Sequence, residues 1–285
     1  APSLSQEYYS SISTTYIGGI PYEIGTFPVN SSVAKALGAK DLKAEKSVNI
    51  SAGFTYSVTN FSLTVDGYRI KINDRIVLTE NFTGTSIATF LQSKGINATG
   101  GRFFTNAINT TTNGVDITAR YGLEIGKGTL RLTAATNFNK TDVTNKDQIN
   151  TPAVLQSLTT TPLLGRVEVG RIERGQPLSS INFQANYSIS KWSFLVRTIR
   201  YGVITVYNTN TAQDQTFRSL WTFDAEASYE IIKGLTFAIG GNNIFDTYPD
   251  KVLKINSTSG ILPYSQSSPS GFDGRYVYTR LNFSI

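Results

Sequence analysis

The chain has 285 residues, of which 26 are Lys or Arg and 20 are Asp or Glu, and it contains no Cys, Met or His. Without Cys or His there is no disulfide framework, no thiolate or imidazole metal site and no histidine-based acid–base chemistry. Charged residues make up only 16% and the net charge of +6 is scattered, unlike the dense basic patch of a nucleic-acid binder, so nucleic acid is not an expected partner; the absence of any run of ~18 apolar residues excludes membrane helices and leaves the β-barrel, whose strands need only ~9–11 residues each.

In chain order, Ser32–Gly38 carries a brief helical signal with a cap residue first and Gly last. From Val48 to Val58 the apolar set is Val48, Ile50, Ala52, Phe54, Tyr56 and Val58, with small or polar residues between. This period of two specifies a strand with one apolar and one polar face. A short turn at Ser57–Asn60 leads into Phe61, Leu63 and Val65, after which the apolar positions change phase to Tyr68, Ile70 and Ile72. Either a bulge or a strand rising clear of a bilayer produces such a change. The excursion Asn81–Thr111 holds a second helical signal, Ser86–Leu91, ended by Lys94-Gly95.

Alternation returns in Val115–Ile125, followed by the short turn Gly126–Gly128 and the excursion Thr141–Leu178, where Thr151–Leu155 places Pro152 at the first helical position. It returns again in Ile181–Ile189, before the turn Ile189–Lys191. The span Trp192–Tyr207 is less pure, with Leu195 and Ile199 on the polar side. After the excursion Asn208–Ser219 come Trp221–Ile231, the turn Ile232–Gly234, the excursion Thr247–Gly274 and the closing segment Tyr276–Ile285. The three helical signals predict ordered loops folded over a rim, and nothing marks a domain boundary. Gly100-Gly101 and Gly240-Gly241 read as turn and strand-bend glycines, not phosphate cradles.

Alternation fits a soluble two-sheet sandwich as well as a transmembrane antiparallel β-barrel. Three features favour the barrel. The strands are long, short turns alternate strictly with long excursions, and Tyr56, Tyr121, Tyr187, Trp192 and Tyr229 lie on the apolar face near short turns. These five form the candidate aromatic girdle, where an apolar ring stays in lipid and its polar tip reaches the headgroups. The hairpin signals give about nine strands. The candidate lumen-facing charges are Arg120, Arg131, Asp224, Glu226 and Arg280, together with Asp116, Glu124 and Glu230. Such charges in barrels ordinarily pair with one another or with a lumen-filling element.

Several segments resemble a known family. Gly240-Gly241-Asn242-Asn243-Ile244-Phe245-Asp246-Thr247-Tyr248-Pro249 is similar to the Asn-Leu-Phe-Asp…Tyr signature of TonB-dependent outer-membrane receptors. Ala1-Pro2-Ser3-Leu4 resembles the end of their Phe-Arg-Ala-Pro-Ser-Leu segment, and Leu42-Lys43-Ala44-Glu45-Lys46-Ser47 resembles Leu-Lys-Pro-Glu-Lys-Ser. Tyr276–Ile285 is similar to the C-terminal signal read by the barrel-assembly machinery. The departures are Ala44 in place of Pro and Ile285 in place of a final Phe.

The resemblance implies a bacterial outer-membrane barrel of about 22 strands, with short periplasmic turns and long extracellular loops. On that reading residues 1–285 form the C-terminal part of the barrel domain, with Ala1 a processed or truncated start; the plug and the N-terminal strands are absent. The implied function is TonB-energised import of a large nutrient, a ferric siderophore above all. The implied partners are the lipid bilayer, the missing strands and plug, the TonB complex acting through that plug, and a siderophore-like ligand. No enzymatic role, catalytic residue, cofactor or metal site is expected, and the lack of His disfavours haem as cargo. The competing expectations are a passive small porin or adhesin-like barrel, closed by a tenth strand at Tyr8–Ser13, and a soluble all-β binding protein.

Overall fold

Nearly every strand of this computed structural model pairs with its neighbour in the chain; the structure describes residues 1–17, 20–257 and 260–284, so Ile285 lies outside the described residues. The elements before the first long hairpin are α1 (Leu4–Tyr8), β1 (Ser11–Ile17), β2 (Ile20–Phe27) and α2 (Ser32–Ala36). There follow β3 (Lys46–Val58), β4 (Phe61–Leu78), β5 (Phe82–Thr83), α3 (Thr85–Ser93), β6 (Gly100–Ile125) and β7 (Gly128–Val143). The rest comprises α4 (Ala153–Leu158), α5 (Arg166–Arg174), β8 (Ser179–Ile189), β9 (Trp192–Tyr201), β10 (Ile204–Val206), β11 (Gln215–Phe217), β12 (Leu220–Ile232), β13 (Leu235–Asn242) and β14 (Tyr276–Phe283).

Nine of these strands, β3, β4, β6 to β9 and β12 to β14, make one antiparallel wall. Each short turn reverses the chain in two residues, between Val58 and Phe61, Ile125 and Gly128, Ile189 and Trp192, and Ile232 and Leu235. Such turns suit the twist of paired strands. All longer connections leave from the opposite end. Register threads one apolar face across the wall, as in the row Tyr56, Leu63, Ala119, Ala134, Phe183, Thr198 and Phe223. No second sheet covers that face among the described residues, where Phe54 is 59% and Phe183 42% exposed. The sandwich alternative therefore fails.

One competing expectation fails and one open alternative is resolved. The segment Tyr8–Ser13 does not close a small barrel. Its start ends α1, whose capping box joins Ser3 and Gln6, and its end opens β1, which pairs with β2. Among the described residues β3 and β14 each pair on one side only, so the sheet is open. The phase change after Val65 is not a bulge either. Register between β3 and β4 runs unbroken from Phe61 to Asn73, and irregularity against β6 begins only between Ile72 and Ile76. There Glu45, from the Leu-Lys-Ala-Glu-Lys-Ser segment, accepts the Ile76 N–H at 2.7 Å and satisfies a donor that the interrupted ladder frees.

Strand β6 also starts earlier than Thr111, within what reads as an excursion. Its Thr/Asn-rich stretch lacks alternation because pairing, not an apolar face, holds it in place. Its first residues lie between β2, parallel, and β5, antiparallel. A Cβ on Gly100 would meet Ile24 and Phe82, and one on Gly101 the Phe27 ring, all within 3.0 Å, so the two glycines permit this close approach.

The buried core lies in this loop region. Phe27, Leu37, Phe82, Ile87, Leu91, Phe103 and Leu155 pack together from β2, the C-terminal cap of α2, β5, α3, β6 and α4. All three expected helices are present, with Pro152 as the residue preceding α4 and not its first. α1 and α5 were not foreseen.

Candidate functional site

The five candidate girdle residues all sit at the short-turn end of the wall and on its apolar face. Register places Tyr56 opposite Leu63, Tyr121 opposite Phe61, Tyr187 opposite Phe194, and Trp192 opposite Tyr229. Trp192 stacks on Phe194 at 5.9 Å and lies 4.7 Å from Tyr229, and Lys191 approaches the Tyr229 ring at 6.0 Å. Tyr187 donates to the Ile125 carbonyl at 3.2 Å. Tyr56 stands apart from this cluster, 55% exposed.

The charged candidates share the opposite face, and the structure separates them into two groups. Asp224, Glu226 and Arg280 are drawn into two side-chain clusters at the closing strands. Asp224 Oδ2 accepts from Arg197 Nε at 2.8 Å and Nη2 at 2.5 Å, while its Oδ1 accepts the Asn243 N–H at 2.8 Å. Glu226 accepts from Arg280 Nη2 at 2.8 Å and from Tyr278 Oη at 2.8 Å. The Tyr278 ring lies over Gly240, where any Cβ would collide with it. Arg120 and Arg131 are exposed and form no ion pair among the described residues, although Arg120 shares a lateral row with Asp224 and Arg131 with Glu226. Asp116 accepts from Asn137 and Glu124 from Thr129.

Asp224 also organises the Asn-Asn-Ile-Phe-Asp-Thr-Tyr segment. Asn243, at φ 49°, closes a local loop by accepting from Thr247 N at 2.9 Å and donating to the Thr247 carbonyl at 2.8 Å. Asp246, at φ 56°, accepts the Arg275 N–H at 2.9 Å, which ties this turn to the start of β14. Asn and Asp are the non-glycine residues that best tolerate the left-handed region, so the motif is a turn device at the top of β13.

At the long-loop end the excursions enclose a cleft of about 680 Å³, whose walls include Tyr16, Asn81, Thr161, Arg166, Arg171 and Tyr207. Arg166 spans two excursions. It grips Asp214 with both terminal nitrogens at 2.8 and 2.5 Å, donates to the Asn208 carbonyl and lies 5.0 Å from the Tyr207 ring centre. Its hydrogen bonds hold the Asp214 carboxyl down at about 2.

In the wall of the cleft, buried Glu80 accepts the N–H groups of Gly165 and Glu168 at 3.1 and 3.2 Å. It thus supplies the N-terminal cap of α5 that no local side chain provides, where the helix dipole favours a carboxylate. Burial pushes the Glu168 carboxyl up to about 7; Arg171 and Arg102 oppose the rise and Glu80 adds to it. Among the described residues no group of three or more acidic side chains gathers to hold a metal.

Sequence reasoning missed Arg197, although alternation places it on the polar face between Leu195 and Ile199. It also missed Glu80, whose partners Gly165 and Glu168 lie 85 and 88 residues away, and Arg166 and Glu168 of α5, of which Arg166 binds Asn208 42 residues away and Glu168 pairs with Arg171 one turn on.

A family model described as TonB dependent receptor-like, beta-barrel matches residues 1–244. No curated protein sequence matches the chain. Among solved structures, a mutant of the ferric enterobactin receptor PfeA from Pseudomonas aeruginosa has 16% identity and a TM-score of 0.60, covering 100% of this chain and 36% of that one. The copper transporter OprC has 15% identity and a TM-score of 0.56, with 86% and 32% covered. The FrpB iron transporter from Neisseria meningitidis has 15% identity and a TM-score of 0.52, with the same coverage. These likenesses are likenesses of fold, and the chain spans about a third of the length of the proteins it matches.

Proposed function

We propose, from the premise that this chain belongs to the TonB-dependent receptor β-barrel family, that residues 1–285 form the C-terminal part of an outer-membrane receptor importing a ferric siderophore with energy supplied through TonB. The observation that carries this reading is the ordered cleft of about 680 Å³ at the long-loop end. A passive pore has no need of excursions that pack a core of their own. A receptor needs a preformed pocket with convergent polar groups. Threonine and asparagine side chains and two tyrosines line the cleft, together with Glu80 and with Arg166 and Arg171, each paired to a carboxylate, a polar surface suited to a large, oxygen-rich chelate. The plug and the remaining strands complete the lumen, and Arg120 and Arg131, free of ion pairs among the described residues, are the lumen side chains open to them.

The test is uptake of radiolabelled iron by iron-starved cells expressing the receptor that carries this chain. Ferric siderophore should bind the surface with or without TonB and enter only with TonB. Arg166→Ala should weaken binding at unchanged surface level, because it releases both excursions. Entry of small solutes without TonB would establish the porin reading instead. Binding of copper complexes in preference to ferric ones would keep the receptor and change its cargo.

A further inference from the structure

We propose that Lys46, Arg69, Lys71 and Lys140 form a docking surface for the phosphorylated headgroups of outer-leaflet lipid, immediately above the apolar belt. Register places all four on the lipid-facing side. Ile50, Arg69, Asn113 and Lys140 make one lateral row, and Val48, Lys71, Thr111 and Asp142 make the next. Lys46 lies opposite Asn73, on the same face as Val48. All four basic residues are exposed.

The patch begins where the apolar phase of β4 changes. Below it Phe61, Leu63 and Val65 face outward; above it Arg69 and Lys71 take those positions, and Tyr68, Ile70 and Ile72 turn to the other face and are half-buried. Because register is unbroken across the change, the strand has not slipped. The solvent outside it has changed from hydrocarbon to something that accepts cations.

Asp142 is the one carboxylate in these two rows, and it pairs with Lys140 at 3.0 Å. These rows hold three cations against one anion, and Lys46 beside them adds a fourth cation, which leaves an excess of positive charge. Neighbouring strands are ~4.8 Å apart, so Arg69 and Lys140, two strands apart, are ~10 Å apart at the backbone, and Arg69 and Lys71 are ~7 Å apart along one strand. Long side chains at this spacing converge on one phosphate or bridge two. The cargo cleft is at the rim and the lumen is behind the wall, so neither a nutrient nor a plug reaches this face. The inference rests on the outer-membrane reading and not on the identity of the cargo.

The experiment uses the intact purified receptor in detergent, with bisphosphorylated lipid A and its dephosphorylated form as probes and bound lipid counted by native mass spectrometry. Each basic residue at a charged lipid surface contributes ~1 kcal/mol, so Arg69→Gln with Lys71→Gln should weaken binding of the bisphosphorylated form about 30-fold. Binding of the dephosphorylated form should not change. Arg69→Lys should retain binding. Lys127→Gln with Lys191→Gln, the same loss of charge in the short turns, should leave both lipids unaffected. Heat-modifiable migration confirms that each variant is folded. No loss on Arg69→Gln with Lys71→Gln, an equal loss for both lipids, or an equal loss from the short-turn pair would overturn the proposal. Iron uptake reports separately on the receptor reading, so a failure of one is distinguishable from a failure of the other.

Discussion

The wall and the loop cap use apolar side chains in opposite ways. Strand β3 leaves all thirteen of its residues exposed, among them Val48, Ile50, Phe54, Tyr56 and Val58. The cap, from the same chain, holds Phe82, Phe103, Ile87 and Leu91 at 1% exposure or less. In the cap, protein atoms supply the other half of each contact, as in any aqueous domain. In the wall that half is left to lipid, and the strands are held by their ladder of hydrogen bonds, which hydrocarbon makes obligatory. One sequence therefore satisfies two solvents, and residue type alone does not tell which.

Removing the same atoms from both regions tests this division directly. Phe82→Ala empties a fully buried site whose ring lies 6.1 Å from that of Phe103. It should cost about 3–5 kcal/mol of cap stability, read as faster hydrogen exchange in α3 and in the upper part of β6. Phe54→Ala, in the wall, removes a ring that no protein core surrounds and should leave the cap's exchange unaltered. If the two substitutions destabilise the cap equally, the division between regions is wrong.

The wall has its own converse. Phe54 lies near the middle of the apolar face, and Phe54→Arg should cost roughly 2–4 kcal/mol in bilayer refolding. Thr55→Arg, one residue along and pointing to the lumen, should fall within about 0.5 kcal/mol of the parent. Equal costs at the two positions would mean that the faces have been assigned incorrectly.

Much of the wall was legible because a period of two over ten residues has few other physical meanings. Val48–Val58 and Val115–Ile125 announce strand, face and turn together, and the nine-strand count follows from them. The cap was less legible. Its helices α2, α3 and α4 left cap-and-glycine or proline signals, but α5 begins at Gly165 and borrows Glu80 from 85 residues away as its cap. Long-range pairs leave no local trace. Of the candidate lumen charges, alternation gave the face and nothing more. It could not distinguish Glu226, held by Arg280 and Tyr278, from Arg131 in the same lateral row, because pairing depends on which strand lies alongside.

In the cap, burial also acts on a charge, that of Glu168. Its carboxyl titrates near 7 in the folded cap and near 4.5 when unfolded. Between those values the folded state holds more protons than the unfolded one, so cap stability falls as pH rises through the window and is level above it. The full fall is roughly 3 kcal/mol. The charges facing this carboxyl are Glu80, Arg102 and Arg171. Glu168→Gln should abolish the slope between pH 5 and 7 and leave a cap more stable than the parent at pH 8. A slope that survives the substitution would place the titrating group elsewhere.

The smallest effects separate the two kinds of candidate lumen charge. Glu226→Gln weakens the charge-assisted bonds from Arg280 and Tyr278, but Arg280 remains half-exposed and can be solvated, so a loss of about 1 kcal/mol is expected in refolding of the barrel. Arg120→Gln and Arg131→Gln break no ion pair and should change that stability by less than about 0.5 kcal/mol. If either arginine instead proves as costly as Glu226, it is held by the lumen-filling element, and the inner face is a docking surface over its whole width. If Glu226 proves as neutral as the arginines, β12 and β14 are kept in place by register alone, and of the two charge clusters only the Asp224–Arg197 pair has a structural task, holding the turn at Asn243.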